Sequence, residues 1–333
     1  MNSSIKHVVL TGGVGSRLWP LSRKSRPKQY LKIFENESLF QKTVKRNANI
    51  TKDLIIVGNI DNYHLSKEAT NDFDIDITNI IEATPRNTAA AIAFAALASN
   101  PNDVLLVTPS DHLIQGEHTY EKALTAAIDL AEQGNIVTFG IQPTKPETGY
   151  GYIEFEGDQV LSFREKPNKE TAEGFIEQGN FLWNSGMFCF KANVFLEELK
   201  KFEPDVYEKS LEAWQTNKNG ELDLQASLKI PSISVDYAVM ERSEKIKVVS
   251  SNFKWSDLGS FESVYEYLLS TGHEVDPNGN ITIGTTKYTA FVGLKNTIFV
   301  YTDDANLILK KEEAQGVKKI YKALDKVNSR LLD

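Results

Sequence analysis

A single cysteine, Cys189, stands in this chain of 333 residues, so no intramolecular disulfide can form and no cysteine-rich zinc site can be built. It lies in the apolar run Met187-Phe188-Cys189-Phe190, the setting of a buried structural thiol rather than a nucleophile. Long apolar stretches are missing too. None approaches the ~20 residues that cross a bilayer, and the opening MNSSIKHVVL lacks the basic, apolar and cleavage regions of a secretory signal. These absences point to a cytoplasmic protein with no membrane partner. Acid is absent from one stretch. Residues 1–34 hold seven basic side chains (Lys6, Arg17, Arg23, Lys24, Arg26, Lys28 and Lys32) and no carboxylate, while the chain as a whole carries −8. A basic start on an acidic body excludes a nucleic-acid coat and suggests one local anion site.

Enough apolar material is present for a substantial core: 41% of residues, 10% of them all being aromatic, over a length that suits about two domains. Short apolar runs at 7–10, 54–57, 104–107 and 136–139 are bounded by Gly, Pro, Asn or Asp and read as buried strands. Helical patterns at 38–47, 88–99 and 120–133 alternate with them, which predicts an α/β domain with a mostly parallel sheet. Residues 152–155 and 160–163 read as a hairpin inserted into that pattern, and helices are expected at 193–201, 205–215 and 260–269. From about Thr271 the texture changes: Gly272, Pro277, Gly279 and Gly284 punctuate expected strands at 281–284, 289–292 and 297–301, followed by a charged helix around 312–324. The expected division is therefore a catalytic-sized domain at 1–270 and a small β-rich module at 271–333.

The most informative segment is Thr11-Gly12-Gly13-Val14-Gly15-Ser16-Arg17-Leu18-Trp19-Pro20, directly after the first strand. Glycines let a backbone turn tightly and approach a ligand, and successive N–H groups in such a loop cradle phosphate oxygens. It lacks the third glycine of a dinucleotide-binding fingerprint and the Gly-Lys-Ser/Thr ending of a P-loop. Arg17 and the run Arg23…Arg26-Pro27-Lys28 add the fixed cations that a polyphosphate needs, Arg as a planar fork and Lys as a point charge.

GGVGSRLWPLSR followed by RPKQYLKI resembles the signature of sugar-1-phosphate nucleotidylyltransferases, and the RLWPLS form resembles that of mannose-1-phosphate guanylyltransferases. Further blocks match in order: Glu82-Ala83-Thr84-Pro85-Arg86-Asn87-Thr88-Ala89, Pro109-Ser110-Asp111-His112, Gly149-Tyr150-Gly151-Tyr152-Ile153, Phe163-Arg164-Glu165-Lys166-Pro167, Asn184-Ser185-Gly186-Met187-Phe188 and Trp255-Ser256-Asp257-Leu258-Gly259. The resemblance implies a Rossmann-like α/β sheet flanked by helices with a small β-rich C-terminal domain. It implies transfer of GMP from GTP to mannose 1-phosphate, with Mg²⁺ held by Asp111 and Asp257. Arg17 and Lys28 would act on the triphosphate, with Gly12, Gly13, Gly15 and Ser16 around it. Glu82, Pro85, Asn87 and Ser110 would serve the nucleotide, Glu82 accepting from guanine N1–H and N2–H₂. Gly151, Glu165, Lys166 and Asn184 would line the sugar-phosphate pocket. Arg164 departs from the apolar residue usual before Glu-Lys-Pro. His112 is expected to be a structural neighbour of Asp111, and Trp183 a core residue.

Two alternatives stay open at this level: a related transferase using another nucleotide or sugar, and a catalytically silent nucleotide-sugar binder. Long family members carry a fused isomerase domain; the residues after 271 are too few for one, so a single activity is expected. Strand-rich terminal modules of this kind often help assemble dimers in the family, so the resemblance allows a homodimer while the sequence itself does not fix the oligomer.

Overall fold

The computed structural model describes residues 4–32 and 36–333. They form two compact units: residues 4–12 with 43–110 and 114–255, and residues 13–32 and 36–42 with 111–113 and 256–333. In chain order the strands are β1 Ile5–Leu10, β2 Asp53–Asn59, β3 Asp76–Glu82, β4 Val104–Pro109, β5 Leu113–Gln115, β6 Ile136–Ile141, β7 Tyr152–Glu156, β8 Gln159–Arg164, β9 Phe181–Lys191, β10 Ile246–Ser251, β11 Lys254–Ser256, β12 Ile281–Ile283, β13 Thr297–Tyr301 and β14 Asn306–Lys310. The α-helices are α1 Leu39–Asn47, α2 Tyr63–Thr70, α3 Asn87–Leu97, α4 Glu117–Glu132, α5 Lys169–Gln178, α6 Ala192–Phe202, α7 Pro204–Gln215, α8 Leu224–Leu228, α9 Phe261–Ser270 and α10 Val317–Lys326.

The first unit is a nine-stranded sheet in the order β3-β2-β1-β4-β9-β6-β10-β8-β7. β1, β2, β3 and β4 are mutually parallel, β6 and β10 are parallel, and β9 runs antiparallel to both β4 and β6. Only β8 and β9 oppose the common direction, so the sheet is mostly parallel, as the alternating pattern implies. β4 shows why a continuous apolar run belongs in its middle. Val104 and Leu106 pack into one cluster with Tyr120, Leu124 and Ala127 of α4, while Leu105 and Val107 pack into another with Phe94 of α3 and Phe195 of α6. A strand covered on both faces has no polar side to show. Ala89–Ala96 of α3 are all buried; their small side chains let that helix lie close to its neighbours. The predicted hairpin is present as β7 and β8, with Gly157 at φ +62° in its turn.

β3, β9 and β10 were not among the expected strands of this sheet, and β9 shows why. Its polar centre, Asn184-Ser185-Gly186 with Gly186 at φ +70°, reads as a turn although it continues through the middle of the sheet. Cys189 lies on it, fully buried, and burial pushes its thiol well above the ordinary value, as befits an inert side chain.

The second unit joins the chain's two ends. Leu18 and Trp19, from the glycine-loop segment, share one apolar cluster with Phe261, Ile281, Ile298, Val300, Leu307, Val317 and Leu332. Polar contacts reinforce it: Trp19 Nε1 donates to the Leu331 carbonyl at 2.9 Å, Lys24 N donates to the Leu332 carbonyl at 2.7 Å, and Arg23 donates to the Leu331 carbonyl and pairs with Asp304 at 2.6 Å. Arg23 is thus buried in a structural contact rather than left as a surface charge. β12 and β13 pair in parallel and β13 and β14 antiparallel. The strand expected at 289–292 does not form. Tyr288 and Val292 are more than nine-tenths exposed, so its alternating residues find no neighbouring face. The strand absent from the expectation, β14, forms because Leu307 has such a face. The charged terminal helix begins later than expected, at Val317, after a tighter turn at Lys311–Gly316.

Leu332 is fully buried although it is the penultimate residue. Leu332→Ala is therefore expected to destabilise the protein by about 2–4 kcal/mol in urea unfolding. Ile308→Ala, at a two-thirds exposed site of the same module, should cost well under 1 kcal/mol.

Candidate active site

Within the second unit, Gly13 and Gly15 take φ values of +87° and +76°, which glycine adopts without strain. At Gly15 the requirement is double, because a Cβ there would lie 2.5 Å from Cβ of Lys28. That close approach lets Lys28 pass beneath the loop, its N–H donating to the Val14 carbonyl at 3.1 Å. Its ammonium is buried, touching Asp111 Oδ2 at 2.7 Å and the Asp257 carbonyl at 2.5 Å. A buried ammonium has to be paired, and here one cation ties together the two acidic residues expected to hold a metal. Burial drives the Asp111 carboxyl upward, but Lys28 and His112 outweigh it and hold Asp111 below the usual carboxylate range. His112 Nε2 lies 3.7 Å from Asp111 Oδ1, the neighbour it was expected to be. Arg17 approaches Asp257 Oδ2 at 3.9 Å and donates to Gln315 Oε1 at 3.2 Å. Gly259 N–H donates to Asp257 Oδ1 at 2.9 Å, and a Cβ on Gly259 would meet both Asp257 Oδ2 and Arg17. Ser16 begins the short turn that carries Arg17.

No group of three or more His, Cys, Asp or Glu side chains is arranged to hold a metal among the described residues. Two carboxylates nevertheless suit Mg²⁺, which takes one or two from a protein and the rest from phosphate and water. Their present partners are cations, which a metal bringing phosphate with it can displace without leaving charge unpaired.

In the first unit, Glu82 and Ser110, two of the residues expected to serve the nucleotide, lie at carboxyl ends of parallel strands, where open α/β sheets bind ligands. Glu82 ends β3, and Ser110 follows β4 with its N–H on the Leu10 carbonyl at 3.1 Å. Both are buried, and Glu82 Oε1 and Ser110 Oγ have no hydrogen-bond partner among the described residues. An unsatisfied buried polar atom costs roughly 1–3 kcal/mol, so both atoms are open to a partner from outside the protein. Burial pushes the Glu82 carboxyl up to about 7, against the Arg86 N–H that favours its charged form. Gly12 has open space where a Cβ would be. Pro85 and Asn87 are exposed beside α3, Asn87 at φ +71° with its side chain accepting the Thr88 N–H at 2.8 Å. Thr88 does not cap the helix; its hydroxyl accepts the Val235 N–H at 2.9 Å.

The four residues expected to line a sugar-phosphate pocket also come together in this unit. Asn184 N–H donates to the Gly151 carbonyl at 2.8 Å, and a Cβ on Gly151 would stand 2.6 Å from Glu165 Oε2 and 3.5 Å from Cβ of Asn184. Glu165 pairs with Lys166, whose φ of +44° is rare for a side-chain-bearing residue. Arg164 is exposed. Trp183 is buried, with Tyr150 packed edge-on against it and against Trp255. One residue that motif reading passes over stands in this group: Asp236, whose carboxylate accepts from Asn184 Nδ2 at 2.9 Å. Its sequence signal is an acid set in the run Val235-Asp236-Tyr237-Ala238-Val239, three of whose apolar members are buried.

Residues 6–273 match the family model described as nucleotidyl transferase. The chain belongs to that family. Residues 273–324 match a second model, described as a mannose-phosphate isomerase/GMP-like β-helix domain. Among its relatives, this transferase is 40% identical to the xanthan biosynthesis protein XanB of Xanthomonas campestris pv. campestris, over 96% of its own length and 73% of XanB. It is 34% identical to a mannose-1-phosphate guanylyltransferase of Escherichia coli, over 98% of its length and 76% of that protein. A solved structure named as a mannose-1-phosphate geranyltransferase from Thermus thermophilus superposes with a TM-score of 0.84 at 28% identity, covering 97% of this chain and 99% of that one. No helix among the described residues of this transferase is long and apolar enough to cross a membrane.

Folded Glu82 takes up its proton near pH 7, where an ordinary glutamate does so near 4.5. The group therefore favours folding fully below about pH 4.5, and that contribution is lost as pH rises through about 7. Glu82→Gln should match the wild type in urea unfolding at pH 4.5 and exceed it at pH 8 by on the order of 2–3 kcal/mol.

Proposed function

We propose that this transferase moves GMP from GTP to mannose 1-phosphate, giving GDP-mannose and pyrophosphate. The observation that carries the reading is the buried Lys28 ammonium between Asp111 and Asp257 under a glycine loop, in a chain that is 34% identical over 98% of its length to a mannose-1-phosphate guanylyltransferase.

A phosphate oxygen of the sugar attacks the α-phosphorus in line. The bond from that phosphorus to the β-phosphate bridging oxygen breaks, and pyrophosphate leaves with the electron pair. The attacking oxygen is already anionic, so no serine, cysteine or general base is needed. The protein has to bring two anions together and stabilise charge that spreads over the transferring group. Arg17 and Lys28 supply fixed positive charge, and the N–H groups of Gly12, Gly13, Gly15 and Ser16 supply donors. Glu82, as a carboxylate, accepts from the guanine edge and thereby satisfies its orphaned oxygen; Ser110, Pro85 and Asn87 complete the nucleotide contacts. Glu165 and Asn184 bind sugar hydroxyls, Gly151 leaves room for the ring, and Lys166 meets the sugar's phosphate. Asp111 and Asp257 would hold Mg²⁺, which when bound neutralises phosphate charge and orients the triphosphate.

The reading divides the chain into a transferase domain at 1–270 and a β-rich module at 271–333, the latter serving assembly of a homodimer. It includes a cytoplasmic location, supported by a lone cysteine that is buried and unpaired.

The test is pyrophosphate release from a panel of nucleoside triphosphates and sugar 1-phosphates. GTP with mannose 1-phosphate should be the preferred pair, and no preference for GTP would sink the proposal. Lys28→Ala and Asp111→Ala, with folding checked by circular dichroism, should each lower turnover on the order of 10²–10³-fold. Wild-type turnover in either variant removes that residue from the mechanism.

A further inference from the structure

Asn184 is held at three points, and their chemistry fixes which way round its carboxamide lies. The Gly186 N–H, which can only donate, reaches Oδ1 at 3.1 Å, and the Thr138 hydroxyl reaches the same oxygen at 3.3 Å. The Asp236 carboxylate, which can only accept when ionised, receives Nδ2 at 2.9 Å. One Nδ2 hydrogen is taken by Asp236, and the other has no protein partner among the described residues.

Asp236 is itself set in place by an unusual backbone. Asp236–Met240 forms a π-turn, with the Glu241 N–H donating to the Asp236 carbonyl at 2.9 Å. Such turns are rare and concentrate at functional sites. The segment leading into it is tied to the nucleotide-side helix: Val235 N–H donates to Thr88 Oγ1 at 2.9 Å, and Ala89 N–H to the Ile233 carbonyl at 3.3 Å. Asp236 retains partial exposure between these fixed points, as a group on the floor of a cleft does. Burial raises its carboxyl above the ordinary range and the neighbouring Glu165 adds to the rise, so two acids face one small polar region.

We infer that Asp236 is a positioning residue for the sugar. It locks the Asn184 carboxamide so that the remaining N–H is presented, beside Glu165, to a hydroxyl of the sugar 1-phosphate. This rests on the sugar-site reading above, and it adds a residue that no signature block contains. The preorganisation means that the amide does not have to be ordered when the sugar binds.

The experiment is steady-state kinetics of pyrophosphate release for Asp236→Ala, Asp236→Asn, Asn184→Ala and the double variant Asp236→Ala/Asn184→Ala. Asp236→Ala should raise KM for mannose 1-phosphate on the order of 10–100-fold, the loss of one charge-assisted hydrogen bond, while KM for GTP stays within about twofold. Asp236→Asn should recover most of the loss, since its amide oxygen accepts the same bond. In the double variant the Asp236 change should add nothing to Asn184→Ala. Three results overturn the inference: an unchanged sugar KM, equal rises in both KM values, or an undiminished Asp236 effect without Asn184. If Asp236→Ala fails to fold, Asp236→Glu, which displaces the acceptor by one methylene, has to show the same split between the two KM values. The functional reading is judged separately by the wild type. If it turns over only another sugar 1-phosphate, that reading fails, and the same variants assayed on the accepted sugar still decide the role of Asp236.

Discussion

The ammonium of Lys28 is the point from which the second unit is organised. A lysine this deeply buried is tolerable only with opposite charge or carbonyl oxygen around it, and it finds Asp111 Oδ2 at 2.7 Å and the Asp257 carbonyl at 2.5 Å. The glycine at position 15 follows from this, because any side chain there would occupy the space of Lys28 Cβ. So does the state of Asp111, kept ionised against burial by the cation beside it. The anchoring of Leu18, Trp19 and Arg23 to the tail at Leu331 and Leu332 then explains how a loop this rich in glycine is held. A glycine-rich turn with little conformational preference of its own borrows rigidity from an apolar cluster shared with C-terminal residues.

The first unit works in a different way. Its sheet supplies rigid strand ends, and groups placed there are left unsatisfied: Glu82 Oε1 and Ser110 Oγ have no partner among the described residues. The cost is offset by the two-sided core of α3, α4, α6 and the sheet. On the sugar side the opposite strategy operates. Asn184 is bound at Gly151, Thr138, Gly186 and Asp236, so that little freedom remains to be lost. One carboxylate oxygen is left open to a partner, whereas the amide is fixed on several sides by the protein itself.

Legibility in the sequence followed the range of the interactions. The strands at the parallel core were legible because residues such as Val104–Val107 are apolar on both faces, and the hairpin because Gly157 marks its turn. β9 was hidden, since its Asn-Ser-Gly centre carries a local turn signature that the neighbouring strands override. The expected strand at 289–292 does not form: Tyr288 and Val292 stay almost fully exposed, and no strand among the described residues pairs with the segment. Arg23 read as one of the fixed cations beside the glycine loop, and only the approach of the C-terminal tail made it structural.

Sequence alone determined the α/β class, the glycine loop and its cations, and the ordered blocks that assign the chain to its family, because each is written in local composition or short spacing. Tertiary structure decided which charges meet. Lys28 and Asp257 lie more than two hundred residues apart, Asn184 and Asp236 are separated by 52, and Trp19 and Leu331 by 312. Contacts at such distances along the chain depend on strand order and on what fills the core, and no local pattern encodes them.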